Sequence, residues 1–382
     1  MLMKKVIDLF CGAGGLSAGL QNAGFTIKIG VDIDKQALYT YGKNFQRAVT
    51  LQKDISYVTG DELRKLAHIA DDDHEFLLVG CPPCQGFSSL GKRNPNDEKN
   101  QLVFQYVRLI KELRPNFILM ENVPGMTRSV GKDIFSHVVK LLEEEYHIES
   151  TILNAADFGV PQTRKRLVLH GVRYSVYEKL KKITGCAYIN FLPKATHGKN
   201  AGLGKKDWIT VGESLSGLPP IVAGGHADEN IVYNHTARSL STINVKRLAI
   251  IRENGGSRHG IEAKYELKCH KGKNVSYSDT YGILDPAKPA PTITAGCTVI
   301  SKGRYGHPTQ NRGLSVREAA RLQSFSDSFL FTGSMESMSR QVGNAVPPRL
   351  AEASGKVIYK YMAMYERYCR KERLAIRLKN NS

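Results

Sequence analysis

The stretch VIDLFCGAGG, residues 6–15, joins an apolar run to a glycine-rich turn. Residues 6–10 are typical of a short buried strand, and glycines directly after a strand let the backbone turn tightly and approach a ligand. A helical pattern follows at residues 16–23. Strand, glycine turn and helix in this order indicate an α/β fold that binds its ligand at the carboxyl ends of parallel strands.

The same alternation of strand and helix patterns continues to about Arg173. A helical run at residues 102–113 stops before Pro115, which cannot continue a helix. The pattern predicts an α/β protein with a doubly wound, mostly parallel sheet. The predicted strands cover residues 6–10, 26–31, 76–79, 117–120, 148–153 and 167–172.

The composition of the chain changes after about residue 185, where segments rich in Gly, Lys, Asn and His replace the periodic apolar runs. A helical pattern returns near Ser315, and a final helix with a basic tail follows Pro348. We therefore expect two domains, one from residues 1–185 plus 338–382 and a smaller one from residues 186–337.

The composition is that of a globular protein with a polyanionic partner. The 382 residues are 41% hydrophobic, and the formal net charge is +18. Such an excess of positive charge favours nucleic acid, although a basic protein without that role stays an alternative. No apolar run approaches the roughly 20 residues that span a bilayer, and seven scattered cysteines fit reduced thiols. We expect a cytoplasmic protein with no membrane contact.

Two reactive side chains follow predicted strands. Cys84 comes after Pro82 and Pro83 at the end of the strand 76–79, and Glu121 ends the strand 117–120. A thiol and a carboxylate at one edge of a sheet indicate covalent group transfer. Other interpretations are a buried structural cysteine, a redox or zinc pair with Cys81, and a helix-capping role for Glu121.

Asp32 lies about twenty residues after the glycine turn, at the end of the second predicted strand. A carboxylate at this place can accept hydrogen bonds from ribose hydroxyls, so the segment predicts an adenosine-containing cofactor. The glycine spacing differs from the dinucleotide fingerprint, and no hydride-transfer acid is evident, which argues against a nicotinamide dehydrogenase. A solvent-facing strand end is the structural alternative for Asp32.

An ordered series of motifs makes the chain resemble the cytosine-C5 DNA methyltransferases of bacterial restriction-modification systems. The resemblance covers the chain except for the variable region between Arg166 and Arg317. It implies a Rossmann-like, S-adenosylmethionine-dependent catalytic domain and a smaller target-recognition domain. The motifs are DLFCGAGG (8–15), VDID (31–34), GCPPCQGFSS (80–89), ENV (121–123), QTRKR (162–166), REAARLQSF (317–325) and QVGNAVPP (341–348).

The resemblance implies a covalent mechanism. Cytosine C5 is a poor nucleophile, and the Cys84 thiolate would activate the ring by adding at C6. Glu121 would act at N3 and read the exocyclic amine. Arg164 and Arg166 would lie near the flipped base, at its O2 edge or an adjacent phosphate.

The resemblance also implies a site for S-adenosylmethionine. Phe10 would pack on the adenine, with Ile33 and Ile55 flanking the ring. Asp32, where the family usually has glutamate, would hold the ribose, and Asp54 would accept from the adenine amine. The complete set of expected cofactor residues is Phe10, Gly12, Gly14, Asp32, Ile33, Asp54, Ile55, Pro83, Leu102, Asn344 and Ala345. No metal is expected.

Double-stranded DNA is the expected substrate, and flipping a base out of it costs a few kcal/mol that protein contacts must offset. The expected DNA contacts near Cys84 are Gln85, Ser88, Lys92 and Arg93, in a loop that closes over the base. In the target-recognition region, from about residue 190 to 310, Thr294, Arg304 and the adjacent Asn311 are candidates for base edges.

We expect a monomer acting on the bacterial nucleoid, with a cognate restriction endonuclease that forms no stable complex with it. Two other functions stay open from the sequence. One is an RNA cytosine methyltransferase on the same scaffold, and the other is a catalytically silent DNA-binding relative. The long basic variable region favours duplex DNA over RNA, and the presence of Cys84, Glu121, Arg164 and Arg166 argues against a silent protein.

Overall fold

The structure is a computed structural model that describes residues 4–83, 101–128, 130–202, 204–262, 264–267 and 279–380. The chain forms two compact units. Unit 1 comprises Met1–Leu153, Lys165–Lys194 and Leu350–Ser382, and unit 2 comprises Asn154–Arg164 and Ala195–Arg349. These bounds differ from the expected domains, because residues 154–164 and 338–349 belong to unit 2 and residues 186–194 to unit 1.

Unit 1 is built on a seven-stranded sheet. Its strand order, β3-β2-β1-β4-β5-β7-β6, confirms the predicted doubly wound topology. The pairs β2–β3, β1–β2, β1–β4 and β4–β5 are parallel, and β7 runs antiparallel to β5. The strands are β1 (Lys5–Leu9), β2 (Thr26–Asp32), β3 (Val49–Gln52), β4 (Phe76–Gly80), β5 (Phe117–Asn122), β6 (Tyr146–Asn154) and β7 (Lys165–Arg173).

Helices cover both faces of this sheet. They are α1 (Gly15–Asn22), α2 (Lys35–Asn44), α3 (Gly60–Ala67), α4 (Leu102–Leu113), α5 (Val130–Leu142), α6 (Tyr174–Thr184) and most of α11 (Pro348–Asn380). Alternate residues of β1 show the arrangement, because Ile7 and Leu9 join the main apolar cluster while Val6 and Asp8 are buried on the opposite face. Burial on both faces explains why β4 reads as the continuous run FLLVG.

The strand order reverses at β1, which lies between β2 and β4. In open α/β sheets the crevice beyond the carboxyl ends of the strands at such a switch point is where ligands bind. The glycine turn after β1 and the Pro82–Pro83 segment after β4 both begin there. Helix α11 lies at the amino end of β1, where its Glu366 pairs with Lys4, the residue just before β1, at 2.8 Å.

Within its described residues, unit 2 has little regular structure. Its elements are the two-residue strands β8 (His197–Gly198) and β9 (Lys206–Asp207), and the helices α7 (Val211–Leu215), α8 (Thr242–Glu253), α9 (Val316–Leu322) and α10 (Met335–Asn344). The helix predicted near Ser315 is α9, and a capping box between Ser315 and Glu318 fixes its start. In the parts of the chain that the structure describes, no helix is long and apolar enough to cross a membrane.

Candidate active site

The turn after β1 has an unusual backbone. Phe10, Gly12 and Gly14 have positive φ values of 56°, 52° and 99°. A Cβ on Gly14 would lie 2.3 Å from the Phe45 ring, so a side chain does not fit, whereas a Cβ on Gly12 would meet nothing within 4 Å. A left-handed non-glycine residue such as Phe10 costs about 1–3 kcal/mol, and such strain concentrates at ligand sites. The turn therefore presents open space at Gly12, as a cradle for a ligand requires.

Asp32 braces this turn from the end of β2. Its Oδ2 accepts the Gly12 N–H at 2.7 Å, and its Oδ1 accepts the Asp34 N–H at 2.9 Å. Burial raises the pKa of the carboxyl. Since a carboxylate offers about four acceptor sites, these two bonds leave capacity for a ligand hydroxyl. The structure thus brings together two of the expected cofactor residues, and the ribose contact itself stays a prediction.

The segment after β3 joins the same edge, because the Lys53 N–H donates to the Asp32 carbonyl at 3.2 Å. Asp54 caps a 3₁₀ turn, Ile55–Tyr57, by accepting the Ser56 N–H at 2.9 Å. Ile55 is 5% exposed and packs in the core, whereas Ile33 is 66% exposed. Of the two isoleucines, Ile33 therefore has its side chain open to solvent. The adenine contacts of both residues stay predictions.

Arg108 of α4 holds this turn in place, a role that sequence reasoning missed. Its Nη2 donates to the carbonyls of Ile55 and Val58 at 3.0 and 2.8 Å. Glu112, one helical turn on, accepts from Arg108 Nη1 at 2.6 Å and from the Gly60 N–H at 2.7 Å. Arg108 sits in a regular amphipathic helix, so its sequence context carries no sign of this contact.

The ends of β4 and β5 are tied together by Asn122. Its Nδ2 donates to the Pro82 carbonyl at 3.0 Å, and its Oδ1 accepts the Val123 N–H at 2.8 Å. The prolines that lead toward Cys84 are therefore anchored beside Glu121. Burial, and next the nearby Glu121 carboxylate, raise the pKa of the Cys81 thiol well above its usual value. A thiol that resists ionisation is a poor metal ligand or redox nucleophile, which argues against the Cys81–Cys84 alternative.

Five of the expected residues lie outside the described residues. They are the nucleophile candidate Cys84 and the DNA-contact candidates Gln85, Ser88, Lys92 and Arg93. Pro83 is the last described residue before them and is half-buried, and Leu102 is the first residue of α4 after them. The roles of all these residues stay predictions.

Glu121 and Arg166 form an ion pair at the carboxyl end of β5. Arg166 Nε lies 2.8 Å from Glu121 Oε1, and both side chains are largely buried. The antiparallel register pairs Glu121 with Val168, which places Arg166 at the diagonal position two residues away. Side chains in that relation share one face of the sheet. The sequence had placed both residues near the flipped base, and the structure brings them into contact with each other.

Arg164 lies in unit 2 and binds backbone. Its side chain is 3% exposed. Its Nη1 donates to the Ile293 carbonyl at 2.6 Å, and its Nη2 donates to the carbonyls of Gly343 and Ala345 at 3.0 and 3.2 Å. These bonds fix the segment around Thr294 and the end of α10. In this arrangement Arg164 acts as a positioning residue, and its predicted contact with base or phosphate stays untested.

Two glutamines extend this buried network. Gln162 Oε1 accepts the Ile293 N–H at 2.7 Å, and its Nε2 donates to Gln323 Oε1 at 2.8 Å. Gln323 in turn donates to the Val342 carbonyl at 2.7 Å. Both glutamines belong to quoted motifs, yet their partners are distant in sequence, so no local pattern identified the contacts.

Asn344 and Ala345 end α10, within unit 2. Asn344 is exposed and Ala345 half-buried. Gly343, just before them, packs directly against the backbone of Thr294, because a Cβ there would lie 2.1 Å from the Thr294 carbonyl carbon. This close approach explains a glycine in the middle of the QVGNA motif. The cofactor contacts of Asn344 and Ala345 stay predictions.

The expected base-reading residues of unit 2 are held by internal contacts. Thr294 Oγ1 lies 2.8 Å from the Tyr305 hydroxyl. Arg304 pairs with Asp279 at 3.0 Å and donates to the carbonyls of Gly256 and Ile283 at 3.1 and 3.2 Å. Asn311 accepts a hydrogen bond from Arg252. These contacts give each residue a structural partner, and base contacts by them stay predictions.

Comparison with known proteins identifies the family. The model of the C-5 cytosine-specific DNA methylases matches residues 4–360. Type II methylase M.HgiDII of Herpetosiphon aurantiacus is 35% identical over 373 residues, 96% of this chain and 98% of that protein. Type II methyltransferase M.XorII of Xanthomonas oryzae is 34% identical over 93% of this chain and 84% of its own length.

Solved structures agree with the sequence comparison. An E. coli prophage-encoded protein assigned as a DNA modification methyltransferase superposes with a TM-score of 0.71 at 29% identity, covering 94% of this chain and 99% of that one. Dnmt2 of S. pombe, at 17% identity and a TM-score of 0.55, covers 94% of this chain and 98% of its own and shares the fold. The chain is therefore a member of the C-5 cytosine-specific DNA methylases, enzymes that use S-adenosylmethionine to methylate cytosine in DNA.

Proposed function

We propose that this enzyme methylates one cytosine within a short, specific duplex sequence, after turning the base out of the helix, with Cys84 as nucleophile and Glu121 as acid. The observation that supports it most directly is the buried Glu121–Arg166 pair at 2.8 Å. It lies on the same sheet edge as the Pro82–Pro83 segment, which Asn122 anchors and which leads toward Cys84.

The nucleophile is needed because cytosine C5 carries too little electron density. Addition of the Cys84 thiolate forms an S–C6 bond and breaks the C5–C6 π bond, so the electron pair becomes available at C5 while N3 takes a proton. After methylation, water takes the C5 proton and N3 returns its proton to the Glu121 carboxylate, so the C5–C6 double bond is restored as the thiolate leaves from C6. A thiolate suits both steps because it is a strong nucleophile and a competent leaving group.

In the free enzyme the Glu121 carboxylate pairs with Arg166, and once the base is bound it would share with N3 the proton that N3 takes up. An acid placed where charge develops typically contributes about 10²–10⁴-fold to the rate. Arg166 Nε at 2.8 Å fixes the orientation of this carboxyl, and burial of both side chains strengthens the interaction. In this proposal Arg166 keeps Glu121 aligned with the ring.

The carboxyl ends of β1 and β2 fit S-adenosylmethionine, with Gly12 and Gly14 beneath its methionine end and Asp32 and Ile33 at its adenosine portion. Gly12 leaves open space, Asp32 retains acceptor capacity, and the exposed Ile33 offers an apolar surface at the same edge. When bound, S-adenosylmethionine supplies an electrophilic methyl group. Phe10, Gly12, Gly14 and Asp32 would hold it at the carboxyl ends of β1 and β2.

The test is a base-resolution map of 5-methylcytosine in DNA from a methylation-free bacterial host that expresses the chain. We expect one short sequence to be modified by the native protein and none by Cys84→Ala, while Glu121→Gln lowers turnover by at least about 10²-fold. Cys81→Ala is the matched control and should retain the mark. Methylation by Cys84→Ala would overturn the covalent route, and a near-native rate for Glu121→Gln would overturn its role at N3.

We also propose that the enzyme works as a monomer on cytoplasmic, nucleoid DNA, beside an endonuclease of the same specificity. The relatives named as Type II methylases support the pairing with an endonuclease. Light scattering of the purified protein tests the monomer. Resistance of the methylated DNA to a Type II endonuclease that cuts the mapped sequence tests the pairing.

A further inference from the structure

A long part of the chain carries lysines without any acid. Residues 179–206 contain seven lysines and neither aspartate nor glutamate. Three of them, Lys199, Lys205 and Lys206, belong to unit 2 and are exposed. We refer to these three as the lysine cluster. Between described residues, no ion pair forms at any of the three ammonium groups.

The lysine cluster is mounted on a fixed backbone. Strand β8 pairs with β9, with His197 opposite Lys206. The Lys206 N–H donates to the Thr196 carbonyl at 3.0 Å, and the Trp208 N–H donates to the Gly198 carbonyl at 3.1 Å. The nearest acid in sequence, Asp207, accepts the Ala201 N–H at 2.8 Å. The acid therefore shapes the loop instead of pairing with a lysine.

Asp157 anchors both ends of this structure. Its carbonyl accepts the Thr196 N–H at 3.0 Å, and its Oδ1 accepts Trp208 Nε1–H at 2.8 Å. Gly159, close by, permits the contact, because a Cβ there would lie 2.8 Å from the His197 ring. The lysines are thus preorganised on the segment of unit 2 that runs into Arg164.

The backbone between the lysines is accessible. A Cβ at Gly202 or Gly204 would meet nothing within 4 Å. The loop borders a cavity of about 1040 Å³ that Lys199, Trp208 and Lys288 also line. The arginines of that cavity are engaged elsewhere, since Arg304 binds Asp279 and two carbonyls. Lys288 pairs with Asp285 at 2.7 Å, so among the described residues the unengaged positive charge at this surface is carried by the lysine cluster.

We propose that the lysine cluster binds the phosphate backbone of duplex DNA, independently of base sequence, and so orients the substrate on unit 2. Lysine is a compact point charge that suits phosphate, whereas reading a guanine edge favours the planar fork of arginine. This proposal rests on the proposed duplex substrate. Contacts of this kind set position and register, and base contacts set specificity.

The test compares two triple variants with equal loss of charge. One removes the lysine cluster as Lys199→Ala, Lys205→Ala and Lys206→Ala. The control removes Lys43, Lys65 and Lys140 in the same way. These control lysines are exposed and lie near the carboxyl ends of α2, α3 and α5, at the edge of the sheet opposite Glu121. The probe is a 20-base-pair duplex of mixed sequence, titrated at several salt concentrations.

For the lysine-cluster variant we expect a shallower slope of the logarithm of the DNA association constant against log salt, by about 0.9 for each phosphate that is no longer neutralised. We also expect affinity for the duplex at about 0.1 M salt to fall by about ten-fold or more. The control variant should keep the native slope. Equal reductions in both variants, or none in the first, would overturn the proposal. A slope change seen with a structured RNA but not with the duplex would overturn it too.

Two further measurements keep the result interpretable. Native affinity of both variants for S-adenosylmethionine shows that the fold is intact. Trp208 is the single tryptophan of the chain, so intrinsic fluorescence reports on this loop without a label. We expect the duplex to change the fluorescence of the native protein in a salt-dependent manner, and an unchanged signal at saturating duplex would contradict the proposal. Because binding is measured without chemistry, it does not depend on Cys84 and can fail or succeed separately from the covalent mechanism.

Discussion

Unit 1 and unit 2 satisfy their backbone polar groups in different ways. In unit 1, neighbouring strands such as β1, β2 and β4 pair along continuous registers. In unit 2, irregular segments place carbonyl groups around buried arginines. Arg317 is fully buried and donates to the carbonyls of Tyr233, Ser326 and Phe329 at 2.8, 2.8 and 2.6 Å. Arginine suits this task because its guanidinium carries five donors in a rigid plane.

The buried arginines of unit 2 change what the positive charge of the chain indicates. The +18 of the sequence indicates a polyanionic partner, but several arginines of unit 2 are used inside the protein. Arg164, Arg304 and Arg317 each bind two or three carbonyls. A count of basic residues therefore overstates the surface available to DNA, and the exposed lysines become the better candidates for phosphate contact.

The largest expected effect comes from removing an arginine that unit 2 depends on. Arg317→Met removes the arginine donors from three carbonyls, of which that of Ser326 keeps the Phe329 N–H at 3.1 Å, and we expect the free energy of unfolding to fall by about 5 kcal/mol. The matched change is Arg64→Met in unit 1, where Arg64 donates to the carbonyls of Ala70, Asp73 and Leu113. We expect about half the loss there, because Arg64 is 6% exposed and lies closer to solvent than Arg317, which is 0% exposed. Urea denaturation checks both, and equal losses of stability in the two variants would contradict this prediction.

The two units also differ in the protonation of their buried carboxyl groups. Burial raises the pKa of the Asp8 carboxyl in β1 to about 7. Among the described residues, the hydrogen-bond donor to its Oδ2 is the Ser17 hydroxyl, at 2.6 Å. In unit 2, burial alone would raise the pKa of Glu318, but hydrogen bonds from Arg312 and His307 outweigh it and hold the pKa well below its usual range. At about pH 5 the Asp8 carboxyl is therefore neutral, whereas the Glu318 carboxyl is ionised.

These two groups make stability depend on pH in opposite directions. Asp8 binds its proton more tightly in the folded state, so its contribution is complete below its unfolded pKa and is lost as pH rises from about 4 to 7, by roughly 4 kcal/mol at most. The contribution of Glu318 is present above its unfolded pKa and is lost as pH falls below about 4.5. Denaturation at pH 3.5, 5 and 7.5 tests both, since Asp8→Asn should flatten the upper range and Glu318→Gln the lower. A native profile for Asp8→Asn would show that its carboxyl is ionised in the fold.

The smallest expected effect is at Arg108, which positions the turn after β3. Arg108→Ala removes its bonds to the carbonyls of Ile55 and Val58. We expect KM for S-adenosylmethionine to rise by about three- to ten-fold, or about 1 kcal/mol, with kcat nearly unchanged. Arg108→Lys should recover part of the loss. A fall in kcat at constant KM would contradict a role in positioning the cofactor.

Much of unit 1 could be predicted because its signals are local. The helix at residues 102–113 matches α4 at both ends, since an amphipathic pattern and Pro115 define it. Strand β3 was missed because its four residues are half-exposed and form an edge strand without a clear apolar run. The predicted mostly parallel sheet is confirmed, and the antiparallel β7 needed the strand order to be seen.

Periodicity, glycine turns and motif order can all be read from the linear sequence, and they were enough to predict the doubly wound fold, the family and the residues at the ends of β1, β2, β4 and β5. Contacts between distant parts of the chain could be seen only in the structure: Arg166 faces Glu121, Arg108 supports the Ile55 turn, and Arg164 binds carbonyls more than a hundred residues away. A charged side chain looks the same in sequence whether it meets a carbonyl, a carboxylate or solvent. Which of these it meets depends on long-range packing, and that difference separates the structural arginines of unit 2 from its exposed lysines.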